Sequence, residues 1–361
     1  MTKSNSNNNH GQMRYEGLKQ TNNILLFVIA ALFLLYMGST FFIPFTFGVF
    51  FATLMAPFSN FLEKWKFKRT ISSLISTLVI LVVIGVLAYL FLYQLISLAK
   101  DLPAIRSALQ QFLVSLQHQI YTGTGFSFEE QNKLLQNRSE SLVVALEFYL
   151  TRILGSIIDT AVKFLLVLIY VFLLLLYRTK FSAFIMMYTN KGKELETGRV
   201  LEKIGNVTYQ YLWGRVQVMA ILAIMYYFTF IIFDIRYAIL LTIFGALITV
   251  IPYIGPFISG LAPIVFAIIF GKGFYDVLLF SCIIMVIQLI ESYVLEPIII
   301  GKEVELNPLT VIIAVIIGGM VWGVAGMVLF VPIFAMIKII SNNRENLKPL
   351  GYLLGTAEKV G

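Results

Sequence analysis

The feature that most constrains this chain is a series of apolar runs too long and too poor in charge for the core of a soluble domain. They are Ile24–Ile43, Phe45–Phe61, Ile71–Ala99, Ile157–Tyr177 and Val216–Phe233, and beyond Asp234-Ile235-Arg236 an apolar tract continues almost unbroken to Ile340. Helical runs of roughly 17–25 residues match the ~30 Å hydrocarbon thickness of a bilayer. Composition agrees. Of 361 residues, 59% are hydrophobic and 13% charged, where soluble domains carry about 25% charged residues. Disorder is excluded on the same ground, because it needs low hydrophobicity and high charge. The single Cys282 excludes a disulfide framework, and His10 and His118 are the only histidines. The fold class that follows is an all-α polytopic integral membrane protein with about six to eight transmembrane helices.

The net charge of +8 would raise the question of nucleic acid in a soluble protein. Here basic loops on one side of a membrane explain it, and no nucleic-acid partner is expected. Lys64, Lys66, Lys68 and Arg69 crowd the turn after the second run, facing only Glu63. Residues 178–215 and both chain ends are also basic, whereas the large segment 100–155 balances its charges. The positive-inside rule then puts both termini and loop 178–215 in the cytoplasm and 100–155 outside. The polar start MTKSNSNNNH has no early apolar region or small-residue cleavage site, so the first span is expected to be retained.

This gives an expected organisation. Residues 1–23 are a polar cytoplasmic tail and 24–99 hold three N-terminal helices. Residues 100–155 form an amphipathic extracytoplasmic segment, with Leu102, Ile105, Leu109, Phe112, Leu113, Leu116 and Ile120 at helical spacing. Residues 156–340 are the transport core, and 341–361 a cytoplasmic tail.

Parity demands irregularity in the core. Four simple spans after Asp234 would leave the C-terminus outside, against the charge pattern. Two places can double back. One is Ile251-Pro252-Tyr253-Ile254-Gly255-Pro256, whose apolar arms reach only about 22 Å as helix. The other is Leu309–Ile339, about 46 Å if straight, holding Gly318, Gly319, Gly323 and Gly326. Re-entrant hairpins at both satisfy parity. Irregular backbone at membrane depth is tolerated only inside protein or against a wet cavity, and such pairs of broken helices mark transporter binding sites. The plainer alternative is that Pro and Gly only kink packed helices.

Few polar residues interrupt this tract. Gln288 and Glu291 share a helical face. Glu291 either carries a proton or ligates a hard cation inside the membrane, or caps a break at its boundary. Glu296-Pro297 is expected to end or kink the helix. Lys302, Glu303 and Glu305 read as a solvated loop, and Asn307-Pro308 as a helix cap and first turn, with Asn307 a possible organiser of the site. Asp159 and Lys163 read as an interfacial i,i+4 pair. Enzyme chemistry lacks its parts. There is no H-E-x-x-H, no histidine in any span, no metal-ligand cluster, and Gly271-Lys272-Gly273 is too short for a phosphate-binding loop. No catalytic residue and no cofactor are expected, beyond possible coupling to H+ or Na+.

IPYIGPFISGLAPIVFAI and QLIESYVLEPIIIGKEVELNPLTVIIAVIIGGMVWGVAGMVLFVPIFAMI resemble the C-terminal signature of the autoinducer-2 exporter (AI-2E) family. The motif positions are Pro252–Pro256, Glu291, Pro297–Gly301, Leu306–Pro308, Gly323–Gly326 and Val331-Pro332, with FFATLMAPFSNFLEK and Tyr211–Arg215 upstream. Ser292 stands where the family pattern has Asn, and Glu296 where it has a basic residue. The resemblance implies a secondary transporter of a bacterial-type inner membrane, exporting a small autoinducer-2-like molecule or exchanging cations for protons, and a homo-oligomer. The rival reading is a membrane scaffold or regulator working through segments 100–155 and 178–215. A pore is disfavoured, because the polar residues form a cluster rather than a stripe.

Overall fold

The computed structural model describes residues 22–23, 25–124, 144–189, 192–300 and 306–356. These are helical almost throughout, and their extended pairing is limited to one bridge between Leu306 and Gly355. The helices are α1 (Leu25–Met37), α2 (Ser39–Lys64), α3 (Arg69–Lys100), α4 (Leu102–Thr124), α5 (144–155), α6 (Ile157–Met187), α7 (Glu194–Ile232), α8 (Ala238–Ile248), α9 (Ile254–Ile269), α10 (Phe274–Ile290), α11 (Pro308–Asn342) and α12 (Lys348–Leu354). A π-helix, Glu291–Ile300, continues α10. The sequence reading of Lys302, Glu303 and Glu305 lies outside the described residues, as do those of most of the N-terminal tail and of the last residues.

Long apolar helices with mostly exposed apolar faces are what a bilayer solvates. Phe33, Val82, Ile158 and Ile232 are all exposed, as apolar side chains facing lipid would be. The interior is narrow. α2, α3 and α6 meet around Ala52, Ile80, Val167, Leu168 and Val171. Gly48 lets α2 approach α6 there, since a Cβ would press 2.6 Å from that of Tyr170. α7, α9 and α10 meet around Leu222, Tyr226, Phe230, Ala267 and Phe280.

Three expected boundaries move. The break between the first two runs is at Gly38, not beside Pro44, which lies buried inside α2. The Leu35 carbonyl just before it accepts the Trp322 indole N–H at 2.8 Å. The described part of α1, Leu25–Met37, is about 20 Å long. Segment 178–215 is largely helical: α6 runs on to Met187 and α7 begins at Glu194. Its second half packs Val207 and Tyr211 inward, so tertiary burial extends the helix beyond the apolar run. Glu296-Pro297 does not end its helix. The π-helix winds through Pro297.

Both suspected interruptions are chain reversals. α8 and α9 form a hairpin whose open end is held at the Asp101 end of α3. Tyr237, before α8, donates to Asp101 Oδ2 at 2.8 Å and rests its ring against Phe266 and Phe270 at the end of α9. The hairpin turns at Thr249–Tyr253, where Gly255 packs on the Ile248 carbonyl so closely that no Cβ fits. α11 would span about 52 Å if straight, but Trp322 and Gly323 leave helical geometry, Gly323 with φ 60°. Gly318 and Gly326 then cross in backbone contact, and the Trp322 and Phe330 rings meet at 5.3 Å. Residues eight apart in a continuous helix would be separated by about 12 Å. Asp159 and Lys163 pair at 2.7 Å on α6.

Candidate functional site

The α8–α9 turn, the middle of α7 and the α10–π-helix junction converge. Glu291 is the last turn of α10 and the first residue of the π-helix, about 26 Å along α10 from the exposed aromatic Phe274. The wider π turn displaces one residue from the α ladder, a device common at functional sites. Glu291 has 0% exposure, and neither carboxyl oxygen has a hydrogen-bond partner. Burying such a group without partners costs several kcal/mol if it is ionised, about 1–3 if neutral. A carboxyl held this way can take a proton, or offer two hard oxygen ligands to a cation.

Arg215 and Glu296 are the charged groups whose fields reach Glu291. Arg215 lies in α7, with its side chain 8% exposed. Its Nη1 donates to Glu296 Oε1 at 2.6 Å, and its Nε is buried without a partner. The guanidinium sits over the Tyr211 ring at 5.9 Å. Gly214 makes the helix contact possible, because a Cβ there would touch the Ile300 backbone.

On the hairpin side, Gln288 Nε2 donates to the Pro256 carbonyl at 2.6 Å. Gly260 provides the space that the Gln288 amide fills. Ser259 Oγ donates to the same carbonyl at 3.0 Å and meets the Tyr226 hydroxyl at 3.1 Å. Tyr253, at the tip, has φ 64°, a conformation uncommon for a non-glycine residue. Its phenol stands within the field of Glu296. Thus Pro252, Tyr253, Gly255, Pro256 and Gln288 gather about one junction, next to Glu291.

Asn307 is placed elsewhere. Its Oδ1 caps Thr310 N at 2.7 Å, and its Nδ2 donates to the carbonyls of Leu353 and Gly355, at 2.6 and 3.1 Å, tying α12 to the base of α11. Both amide protons and the amide oxygen are engaged there. Gly318, Gly319, Gly323 and Gly326 form the α11 reversal. Gly318 and Gly326 touch each other, and Gly319 faces Met327. The apolar cluster around this reversal, with Trp322, Val315 and Leu329, includes Ile251 of the other hairpin turn, so the two hairpins share one packed region.

The sequence reading missed Arg215, Tyr226 and Ser259. Arg215 was legible only as the end of the Tyr211–Arg215 motif and the last charge of a basic segment, and Tyr226 as one aromatic among many. Glu296 stood out as an acid where the family pattern has a basic residue, but nothing local pairs it with Arg215, 81 positions away.

Residues 25–346 match the family described as AI-2E family transporter. Among individual relatives, YueF of Bacillus subtilis (strain 168), which bears the name of a transport protein, is 28% identical over 349 residues, 87% of this chain and 90% of its own. The AI-2 transport protein TqsA of Escherichia coli (strain K12) is 25% identical over 320 residues, 88% of this chain and 90% of its own.

Proposed function

This chain belongs to the AI-2E transporter family and is a membrane transporter rather than an enzyme, and from that premise we propose that it is a secondary transporter driven by H+ or Na+ through Glu291. The observation that carries this reading is the fully buried carboxyl with two unpartnered oxygens, set where a helix widens beside the α8–α9 turn. Intramembrane acids are expensive and mark ion or proton paths. Gln288 holds the turn at the Pro256 carbonyl, so a change in the state of Glu291 is transmitted to the α8–α9 hairpin. The cargo is a small molecule of the autoinducer-2 kind, as the name of TqsA suggests, or the cation itself in exchange for protons. In this reading the chain lies in a bacterial inner membrane with both termini cytoplasmic, as a homo-oligomer. Asn307 serves it as a support of the α11 hairpin.

The test is flux into proteoliposomes of the full chain under an imposed proton or sodium gradient, with internal pH as the readout and an autoinducer-2-like furanone as the optional cargo. Ion-dependent pH change, abolished by Glu291→Gln at equal insertion, is expected. Undiminished coupled flux in Glu291→Gln would remove Glu291 from the mechanism. Furanone movement indifferent to both gradients would remove the coupling.

A further inference from the structure

At the end of α3 opposite Asp101, the α2–α3 turn carries Lys64, Lys66, Lys68 and Arg69, and α6 brings Arg178 beside them. Glu63 is the carboxylate of this cluster. Its Oε2 accepts from Arg178 Nη2 at 2.8 Å, while Arg178 Nη1 reaches Ser59 Oγ at 3.3 Å and Glu63 Oε1 is buried without a partner. The second guanidinium is close enough to Arg178 to repel it.

That second guanidinium, Arg69, is unsatisfied. Its Nη1 donates to Thr179 Oγ1 at 2.9 Å, but Nε and Nη2 are covered and have no partner. Among the described residues it forms no ion pair. Each orphaned N–H costs about 1–3 kcal/mol, and these two form the edge of the fork that grips two oxygens of one phosphate or carboxylate. The residue as a whole is half-exposed while these two atoms are buried, so gripping an external anion requires the side chain to turn outward. Five basic side chains here face the single Glu63 carboxylate, so the cluster has positive charge left over for an anion with more than one oxygen.

Its surroundings say where that anion comes from. Trp65 is 66% exposed, Phe61 and Phe67 are exposed beside it, and the Phe61 and Trp65 rings meet at 5.1 Å. Aromatic side chains bared at the end of a membrane-spanning helix sit at headgroup level. Basic pockets between helices at that level bind anionic headgroups.

We propose that Arg69 and the basic α2–α3 turn form a binding site for the phosphate of an anionic lipid, with Arg69 Nε and Nη2 as the bidentate donors and Lys66 and Lys68 supplying further charge. The site sits on α2, α3 and α6 and is independent of the coupling role of Glu291.

The experiment is native mass spectrometry of the full chain released from phosphatidylcholine vesicles containing phosphatidylglycerol, with and without millimolar inorganic phosphate. The wild type is expected to retain phosphatidylglycerol in preference to phosphatidylcholine. Arg69→Gln should lower that retention about tenfold, and Arg69→Lys less. Thr179→Val removes the same internal hydrogen bond yet keeps the fork, so it should retain the lipid and shows that loss in Arg69→Gln is not misfolding. Lys180→Gln, a charge change nearby, should have little effect. Equal retention by wild type and Arg69→Gln would overturn the proposal. So would equal losses in Arg69→Gln and Lys180→Gln, which indicate diffuse charge. Displacement of the lipid by inorganic phosphate would instead assign the site to a soluble anion.

Discussion

Arg215 Nη1 lies 2.6 Å from Glu296 Oε1, joining the middle of α7 to the π-helix that follows Glu291. The arginine is almost sealed off and the glutamate one-third exposed. The pair fixes the side of the candidate site toward the α11 base, while the Tyr226–Ser259 and Gln288–Pro256 contacts fix the hairpin side.

Removing one partner strands the other charge. Glu296→Gln should therefore lower stability by about 1–3 kcal/mol, less than a fully buried pair because Glu296 retains some water. Arg215→Met combined with Glu296→Leu should recover most of that loss. Thermal unfolding of the purified protein in one detergent checks both. A double variant as unstable as Glu296→Gln would show that the pair itself supplies the stability.

Glu291 carries a stability cost, because its buried carboxyl has no hydrogen-bond partner. Glu291→Leu replaces an unpartnered buried carboxyl with a side chain of similar size, so the melting temperature should rise by a few degrees, on the order of 1 kcal/mol. Coupled flux should vanish in the same preparation. A lower melting temperature would mean that the carboxyl has partners in the membrane.

The α11 reversal depends on two glycines in backbone contact. Gly326→Ala puts a methyl into the Gly318 carbonyl, which something must move to accommodate. A loss of about 1–3 kcal/mol or failure to accumulate is expected. Gly85→Ala in α3 meets nothing within 4 Å and should be neutral or stabilise by about 0.5–1 kcal/mol. Expression and unfolding of the two variants side by side make the comparison.

Tyr237 holds the open end of the α8–α9 hairpin to Asp101. Burial, and then the hydrogen bond to Asp101, push its phenol up to about 12. Because the folded value lies above the unfolded one near 10, this contribution is intact below pH 10. It is lost as pH rises from 10 toward 12. The difference in stability between wild type and Tyr237→Phe should be constant below pH 10 and shrink above it. Unfolding midpoints from pH 8 to 12 read this directly, and a flat difference would place the phenol in water.

Much of the fold could be read from one-dimensional patterns. Run length identifies α2, α3 and α6, because hydrocarbon thickness acts on each helix separately. The reversals at Pro252–Pro256 and Gly318–Gly326 were legible from short arms, excess length and glycine content. Asn307-Pro308 was readable as a cap, since capping involves only its own first turn. Where packing competes with local signals the reading failed. Pro44 looked like a break but is tolerated in the buried α2, whereas Gly38 bends the chain beside the Trp322 indole.

The residues themselves thus determined the membrane class, the rough number of helices, the two reversals and the presence of an acid inside an apolar tract. Each follows from interactions within a turn or two of chain, or from the bilayer as a solvent. Only the tertiary structure decided that Glu291 has no partner, that Arg215 answers Glu296 and that Gln288 is spent on the Pro256 carbonyl. It also separated Asn307 from Glu291. Those facts depend on which helix faces lie opposite one another, and close packing between distant segments sets that choice without a local trace.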